Sequence, residues 1–271
     1  MTFLWHGMIF LMYEVTEAIL LAGGSGNRLQ PFTHYTSKHL LPIDDVPMIF
    51  YPLKNLQLIG IKKVYLIVNE NHLIQWESLL SKYDFKMEII TVIQDRPLGI
   101  PAAIQCCSGF IRGKSFIVAL GDNVIIASNF LNNFKSYMKD ELTATVCGFT
   151  VSDPKSFGVA RFDDSERFIE VVEKPDIPPS SIAIAGFYKF PVNAFKLIES
   201  LEFSSRGELE IADLINIYIN QDLCELVRSN SHSDYWVDTG SNNALVGATA
   251  FVRDLKRNSG LSIAQFSPKD I

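Results

Sequence analysis

The sequence has no basic tract. Its 24 Lys and Arg are outnumbered by 30 Asp and Glu, for a net charge of −6. Nothing in it reads as a nucleic-acid surface, and any anionic ligand must be met by a local cluster of cations. Cysteine is scarce. The four, at 106, 107, 147 and 224, show no C-x-x-C spacing, which argues against a zinc site and a disulfide framework. They read as reduced core thiols of a cytoplasmic protein. None of the five histidines, at 6, 34, 39, 72 and 232, stands at metal-ligand spacing from another, and most read as surface residues. No Lys or Arg precedes Arg28. The apolar stretch Met1–Tyr13 therefore lacks the positive start of a secretory signal, and it is too short to span a bilayer. Residues 1–16 read as a disordered extension or a misassigned start, with Met12 as the true beginning. No membrane partner is expected. No Pro/Ser-rich or charged linker and no internal repeat divides the rest, so residues 17–271 read as one domain, long enough to bury a sizeable core.

What is present is organised around residues 17–43. The apolar run Ala18–Ala22 reads as a buried strand. It stops at Gly23, Gly24 and Gly26, where the backbone can turn sharply without side chains. A bare loop at a strand end lets N–H groups approach a phosphate, and Arg28 and Lys38 add positive charge. The pattern predicts a nucleoside triphosphate site. Two other phosphate loops do not fit: there is neither a G-x-G-x-x-G fingerprint nor a Walker Gly-Lys-Ser/Thr. On spacing alone, a structural turn with a solvated Arg28 stays open as the alternative.

Helices are expected at 44–60, with Pro47 in its first turn and Gly60 as its stop, at 71–82 with Asn71 as cap, and at 100–110. They alternate with strands at 63–69, 87–94 and 115–120, a pattern that implies a parallel sheet covered on both faces. From 143 onward strands dominate, at 143–151, 158–162, 168–173 and 182–190. Helices at 192–201 and 208–220, short strands at 223–228 and 233–237, and a helix at 242–256 complete the reading.

The strings Leu21-Ala22-Gly23-Gly24-Ser25-Gly26-Asn27-Arg28-Leu29-Gln30-Pro31 and Ser37-Lys38-His39-Leu40-Leu41-Pro42-Ile43 resemble the sugar-nucleotide pyrophosphorylases, closest to their thymidylyltransferase branch. The likeness continues at Gln94–Gly99, Gly121-Asp122-Asn123, Phe157-Gly158-Val159, Val172-Glu173-Lys174-Pro175, Ala185-Gly186-Phe187-Tyr188, Arg206–Asp213 and Trp236–Gly240. It implies an α/β fold: a Rossmann-like, mainly parallel mixed sheet covered by helices, with an inserted sugar-binding lobe. The nucleotide half would run over 17–142, the sugar half over 143–240, and a C-terminal helix and tail over 241–271. The implied reaction joins a nucleoside triphosphate, dTTP by preference, to a hexose 1-phosphate, glucose 1-phosphate by preference, and releases pyrophosphate.

By this resemblance Leu21, Gly23, Gly24, Gly26, Gln94 and Gly99 bind the nucleotide. Gly158, Glu173, Lys174 and Gly186 bind the sugar phosphate. Arg28, Lys38, Asp122, Lys174 and Asp238 carry the chemistry, with Mg²⁺ on Asp122 and Asp238. A carboxylate at a strand end suits an ion that takes one or two carboxylates plus phosphate oxygens. The chain departs from the family at Leu98, where an acidic residue is usual, at Pro101, at Phe157 for Tyr, at Asn27 for Thr and at His39 for Gln. The departures at Leu98 and His39 leave uridylyl or cytidylyl transfer open. An inactive nucleotide-sugar-binding regulator is the alternative from another class, and the presence of Arg28, Asp122, Lys174 and Asp238 argues against it. A homo-oligomer is the expected assembly.

Overall fold

The computed structural model describes residues 15–230, 234–260 and 262–269. The expectations for 1–16 and for His6 and His232 fall outside those residues, except at Val15 and Thr16. Val15 is buried, and the Thr16 carbonyl accepts from the Lys62 and Lys63 amides at 2.8 and 3.0 Å, so both belong to the body of the fold.

The first half runs β1 (Glu17–Ala22), α1 (Phe50–Ile59), β2 (Lys63–Val68), α2 (Leu73–Lys82), β3 (Glu88–Ile93), α3 (Ile100–Gln105) and β4 (Ser115–Leu120). Then come β5 (Asn123–Ile126), α4 (Ser128–Ser136), β6 (Ala144–Thr150), β7 (Gly158–Phe162), β8 (Phe168–Glu173) and β9 (Ile182–Pro191). The chain closes with α5 (Ala194–Ile198), α6 (Ile211–Ile219), β10 (Cys224–Arg228), β11 (Tyr235–Asp238) and α7 (Asn242–Ser259).

β1 lies at the centre, parallel to β2 on one side and β4 on the other. Its side chains alternate between two cores, as a strand's must. Ala18, Leu20 and Ala22 face a core shared with α1, α4 and α7, while Ile19 faces one shared with α3, α5 and α6. Each fully buried Leu or Ile contributes about 1.5–3 kcal/mol, which is why a strand dry on both faces reads as a continuous apolar run.

Among the described residues the sheet has nine strands, with β8-β7-β9-β4-β1-β2-β3 in order; β6 joins the other side of β9 and β10 joins β6. The second half thus extends the same sheet. β9, buried along its whole length, pairs antiparallel with β4 through Phe187–Pro191 and with β6 on its other edge. Its register slips between Ala185 and Tyr188, at Gly186, where a Cβ would lie 2.4 Å from Leu120 Cγ and Cδ1.

Several expectations are corrected. The helix expected from 44 starts at Phe50, because 42–43 and 46–47 form a two-residue hairpin instead, with Asp44 at φ +58°. Asn69, not Asn71, caps the turn before α2: its side chain accepts from the Asn71 amide at 2.9 Å. The helix expected over 100–110 ends at Gln105. All four cysteines are free thiols, but Cys106 is exposed rather than core. The patterns gave no sign of β5 and α4. Among the described residues no helix is long and apolar enough to cross a membrane.

Candidate active site

The carboxyl ends of β1, β3 and β4 point to one edge of the sheet, the edge where parallel sheets hold ligands. β1 ends in the glycine loop. Gly26, at φ +67°, starts the short turn Asn27–Leu29 that carries Arg28. Gly26 packs on Thr33 (a Cβ would be 2.8 Å from its Cγ2) and accepts the Thr33 hydroxyl proton at 2.9 Å. It does not line the nucleotide-side cavity, unlike the other residues assigned to the nucleotide; its part is to aim Arg28. That cavity, of about 310 Å³, is walled by Leu21, Gly23 and Gly24 from the loop and by Gln94 and Gly99 from the end of β3. A Cβ on Gly23 would fall 2.8 Å from Gln94 Oε1, so the bare backbone lets the carboxamide lie against the loop.

Gly99 has a different reason to be glycine than ligand approach. At φ +101°, its Cβ would lie 2.1 Å from the Leu209 carbonyl oxygen. The Leu209 amide donates to Leu98 O at 2.9 Å, and this backbone contact brings Glu208 into the cavity wall.

Asp122 follows β4, and Asp238 ends β11. Far apart in sequence, they are brought together by the β5–β11 ladder, in which Asn123 stands opposite Asp238. The Thr239 hydroxyl and amide both donate to the Asp122 carbonyl, at 2.7 and 2.9 Å. The Lys38 ammonium pairs with the Asp122 carboxylate. Burial opposes charge on Asp122, yet Lys38 and a hydrogen bond from Asn123 hold its carboxyl well below the usual range. Burial and the neighbouring Asp122 charge push Asp238 up. Arg28 reaches the same point: a Cβ on Gly240 would be 2.7 Å from Arg28 Nη2 and 2.8 Å from Asp238 Oδ1.

Two partly buried carboxylates that repel each other, beside the cations Lys38 and Arg28, form a donor set suited to Mg²⁺. Among the described residues no group of three or more His, Cys, Asp or Glu could hold an ion. The pair therefore fits an ion that completes its shell with substrate phosphates and water.

Two residues have roles that the sequence reading did not give them. His39, noted there only as a departure from the usual Gln, is buried. Its Nδ1 lies 3.1 Å from Ser37 Oγ, and burial together with Lys38 lowers its pKa to about 3, so the imidazole behind Lys38 and Asp122 is neutral. Asn123 is a three-way bracket. Its Oδ1 accepts from the Gly186 amide at 2.8 Å and from Trp236 Nε1 at 2.7 Å, while its Nδ2 donates to Asp122 at 3.2 Å.

A second cavity, of about 550 Å³, opens beside the first and shares Arg28, Ile100 and Leu120 with it. Gly158, Glu173, Lys174 and Gly186 all line it, as does Asp238. Gly158 and Glu173 are register partners in the β7–β8 hairpin. Lys174, at φ +43°, donates its amide to Phe157 O at 2.9 Å, and its ammonium lies 3.3 Å from Glu173 Oε1. Arg206 bonds the same oxygen at 3.1 Å and Glu210 at 2.5 Å. Phe157 packs on Trp236 with ring centroids 5.1 Å apart. The site thus offers one compartment with amide and glycine-backbone groups, one with carboxylate and ammonium beside aromatic rings, and a shared arginine between them. It can hold two anionic substrates against each other.

The nucleotidyl transferase family model matches residues 17–254. A glucose-1-phosphate thymidylyltransferase of Neisseria meningitidis is 35% identical over 92% of this chain and 86% of its own length. One of Xanthomonas campestris is 36% identical over 91% and 84%. Among solved structures, a putative glucose-1-phosphate thymidylyltransferase of Bacillus anthracis superposes with a TM-score of 0.80 at 33% identity, over 88% of this chain and 95% of that one. A UDP-glucose pyrophosphorylase shares the fold, with a TM-score of 0.79 at 19% identity. The chain belongs to the nucleotidyl transferase family, among the sugar-1-phosphate nucleotidyltransferases.

Proposed function

We propose that this enzyme transfers a thymidylyl group from dTTP to glucose 1-phosphate, giving a nucleotide sugar and pyrophosphate. The observation that carries the reading is Arg28, which lines both cavities beside the paired strand ends that carry Asp122 and Asp238. A phosphate oxygen of the sugar phosphate attacks the α-phosphorus. The bond from that phosphorus to the bridging oxygen of the β-phosphate breaks, and pyrophosphate leaves with the electron pair. Lys174 holds the attacking phosphate, and Glu173 accepts from sugar hydroxyls. Arg28 and Lys38 meet the charge that develops on the transferring and leaving phosphates, the kind of preorganised stabilisation that dominates such catalysis. Gln94 faces the base.

Asp122 and Asp238 would hold Mg²⁺, which when bound neutralises phosphate charge and orients the triphosphate. The names of the relatives support dTTP and glucose 1-phosphate as the pair. Leu98, on the loop that meets the base, keeps uridylyl or cytidylyl transfer as the second reading. The inactive-regulator reading is disfavoured because Arg28, Lys38, Asp122, Lys174 and Asp238 all converge. The free thiols suit a cytoplasmic protein, and a homo-oligomer remains part of this reading, to be checked by light scattering.

The test is a pyrophosphate-release assay with Mg²⁺ that crosses four nucleoside triphosphates with several hexose 1-phosphates. Release that needs both dTTP and glucose 1-phosphate supports the proposal. Release with UTP or CTP instead moves it to the second reading, and release with no pair overturns transfer.

A further inference from the structure

Lys38 reaches the phosphate site on a long, flexible stem, and something must aim it. The stem lies along the glycine loop: a Cβ on Gly26 would be 3.2 Å from Lys38 Cβ, and one on Gly24 would be 3.4 Å from Lys38 Cε. The ammonium ends on Asp122. A lysine side chain carries about 2 kcal/mol of rotamer entropy, so it keeps this course only if the backbone beneath it is held.

That backbone is one turn of 3₁₀ helix, Lys38–Leu40. At three residues per turn, successive side chains diverge by about 120°. Lys38 therefore runs out over the loop while His39 turns into the body of the fold, where it is 1% exposed. The imidazole is gripped on several sides. Its Nδ1 lies 3.1 Å from Ser37 Oγ. Ser37 stands at the N-cap of the turn, yet its side chain caps no amide, so the hydroxyl serves the ring instead. The Trp76 ring of α2 is 6.4 Å away, centroid to centroid. His39 Cδ2 fills the space beside Gly121, where a Cβ would be 2.7 Å from it, and the Gly121 amide donates to Leu21 O at the end of β1 at 2.8 Å. The His39 carbonyl accepts from the Ile49 amide at 3.0 Å, just before α1. His39 thus follows Lys38 in the chain and packs on the residue that precedes Asp122. Rolling the turn to free the ring would carry the ammonium off that carboxylate.

We propose that His39 is a positioning residue: it locks the turn so that Lys38 is held over the glycine loop and on Asp122, in place for the phosphates. The inference rests on the nucleotidyl-transfer reading above. It gives a role to a position at which the chain departs from its family.

The experiment measures steady-state transfer by the intact enzyme with Mg²⁺ and dTTP and glucose 1-phosphate, or the pair that the release assay identifies, in His39→Leu, Lys38→Ala and the double variant. Misplacing a reacting group by about 1 Å can cost about 10²-fold. His39→Leu should therefore lower kcat about tenfold or more, with the KM for the nucleoside triphosphate unchanged within about twofold. His39→Gln, which keeps a polar planar group for Ser37, should recover most of that loss. In the Lys38→Ala background, His39→Leu should lower kcat by no more than about twofold, because the group it positions is gone. Ser37→Ala, which removes the hydroxyl and keeps the ring, is the second route should the Leu variant not fold; it should lower kcat about threefold alone and leave it level in the Lys38→Ala background. A kcat loss that persists in full without Lys38, a change confined to the KM for the triphosphate, or wild-type kcat in both His39→Leu and Ser37→Ala overturns the positioning role and leaves the transfer reading standing. A wild type that transfers no nucleotidyl group overturns the transfer reading, and this role with it.

Discussion

Replacing Asn123 by Leu separates a framework role from a catalytic one. Its Oδ1 satisfies two donors, the Gly186 amide and Trp236 Nε1, and the residue is 3% exposed. Leucine keeps most of the volume and offers no acceptor. Leaving a buried donor without a partner costs about 1–3 kcal/mol, so the two together cost about 2–6 kcal/mol. That is a large share of the roughly 5–15 kcal/mol by which a domain is stable. Asn123→Ala leaves room for a water at the vacated acceptor and should fall at the low end of the range. Urea unfolding followed by far-ultraviolet circular dichroism reads the effect as a lowered midpoint at constant slope. The consequence for the site is specific. Gly186 sits at the register slip of β9 and Trp236 on the strand that presents Asp238, so residual activity should show a raised KM for the sugar phosphate. A Leu variant within about 0.5 kcal/mol of the wild type would refute the bracket, since surface substitutions stay within that margin.

Arg28→Ala should lower kcat by about 10²-fold or more, the scale seen when a preorganised charge-stabilising group is removed; unchanged steady-state turnover would remove its role. Gly99→Ala forces a Cβ onto the Leu209 carbonyl at a positive φ and should cost about 2–4 kcal/mol, checked by the urea midpoint. Lys189 is buried, with its ammonium donating to the Tyr137 carbonyl at 3.0 Å and to the Asp140 carbonyl, and burial pulls its pKa down to about 8. Between that value and the roughly 10.4 of an unfolded lysine, the unfolded chain holds a proton that the native one has lost. Stability from this group therefore rises with pH in that window and is level below it. The stability difference between wild type and Lys189→Met should grow across pH 8–10, by up to about 1.4 kcal/mol per unit; a flat or falling difference in urea titrations contradicts the sign.

The parallel half of the fold was legible because β1, β2 and β4 are dry on both faces and their sequences show it as unbroken apolar runs. The glycine loop was legible because only bare backbone fits against Gln94 and Thr33. Other features depended on partners that local pattern cannot show. β5 is four residues long and earns its place by pairing with β11, so neither the strand nor the meeting of Asp122 with Asp238 could be read from spacing. The hairpin at 42–47 displaced a helix start because Asp44 and Asp45 turn to meet Arg253 and Lys256 of α7. The burial of His39 was not legible because it comes from the fold around it, including Gly121, whose missing Cβ would lie 2.7 Å from its Cδ2. Gly99 was assigned to the nucleotide and lines that cavity, but no local pattern showed that the Leu209 backbone occupies the place of its Cβ.

The central claim is that Asp122, Asp238, Arg28 and Lys38 form one site for nucleotidyl transfer. Its most direct test follows the label from α-phosphate-labelled dTTP, with glucose 1-phosphate and Mg²⁺, in the wild type and in Asp238→Asn. The Asn variant keeps an oxygen for the Gly240 amide, which now donates to Asp238 at 2.7 Å, so its melting temperature should hold. The account predicts that the wild type moves label into a nucleotide sugar with one pyrophosphate released per transfer, and that the variant is slower by about 10²-fold. Equal transfer by the two proteins, or no labelled nucleotide sugar from the wild type, would contradict it.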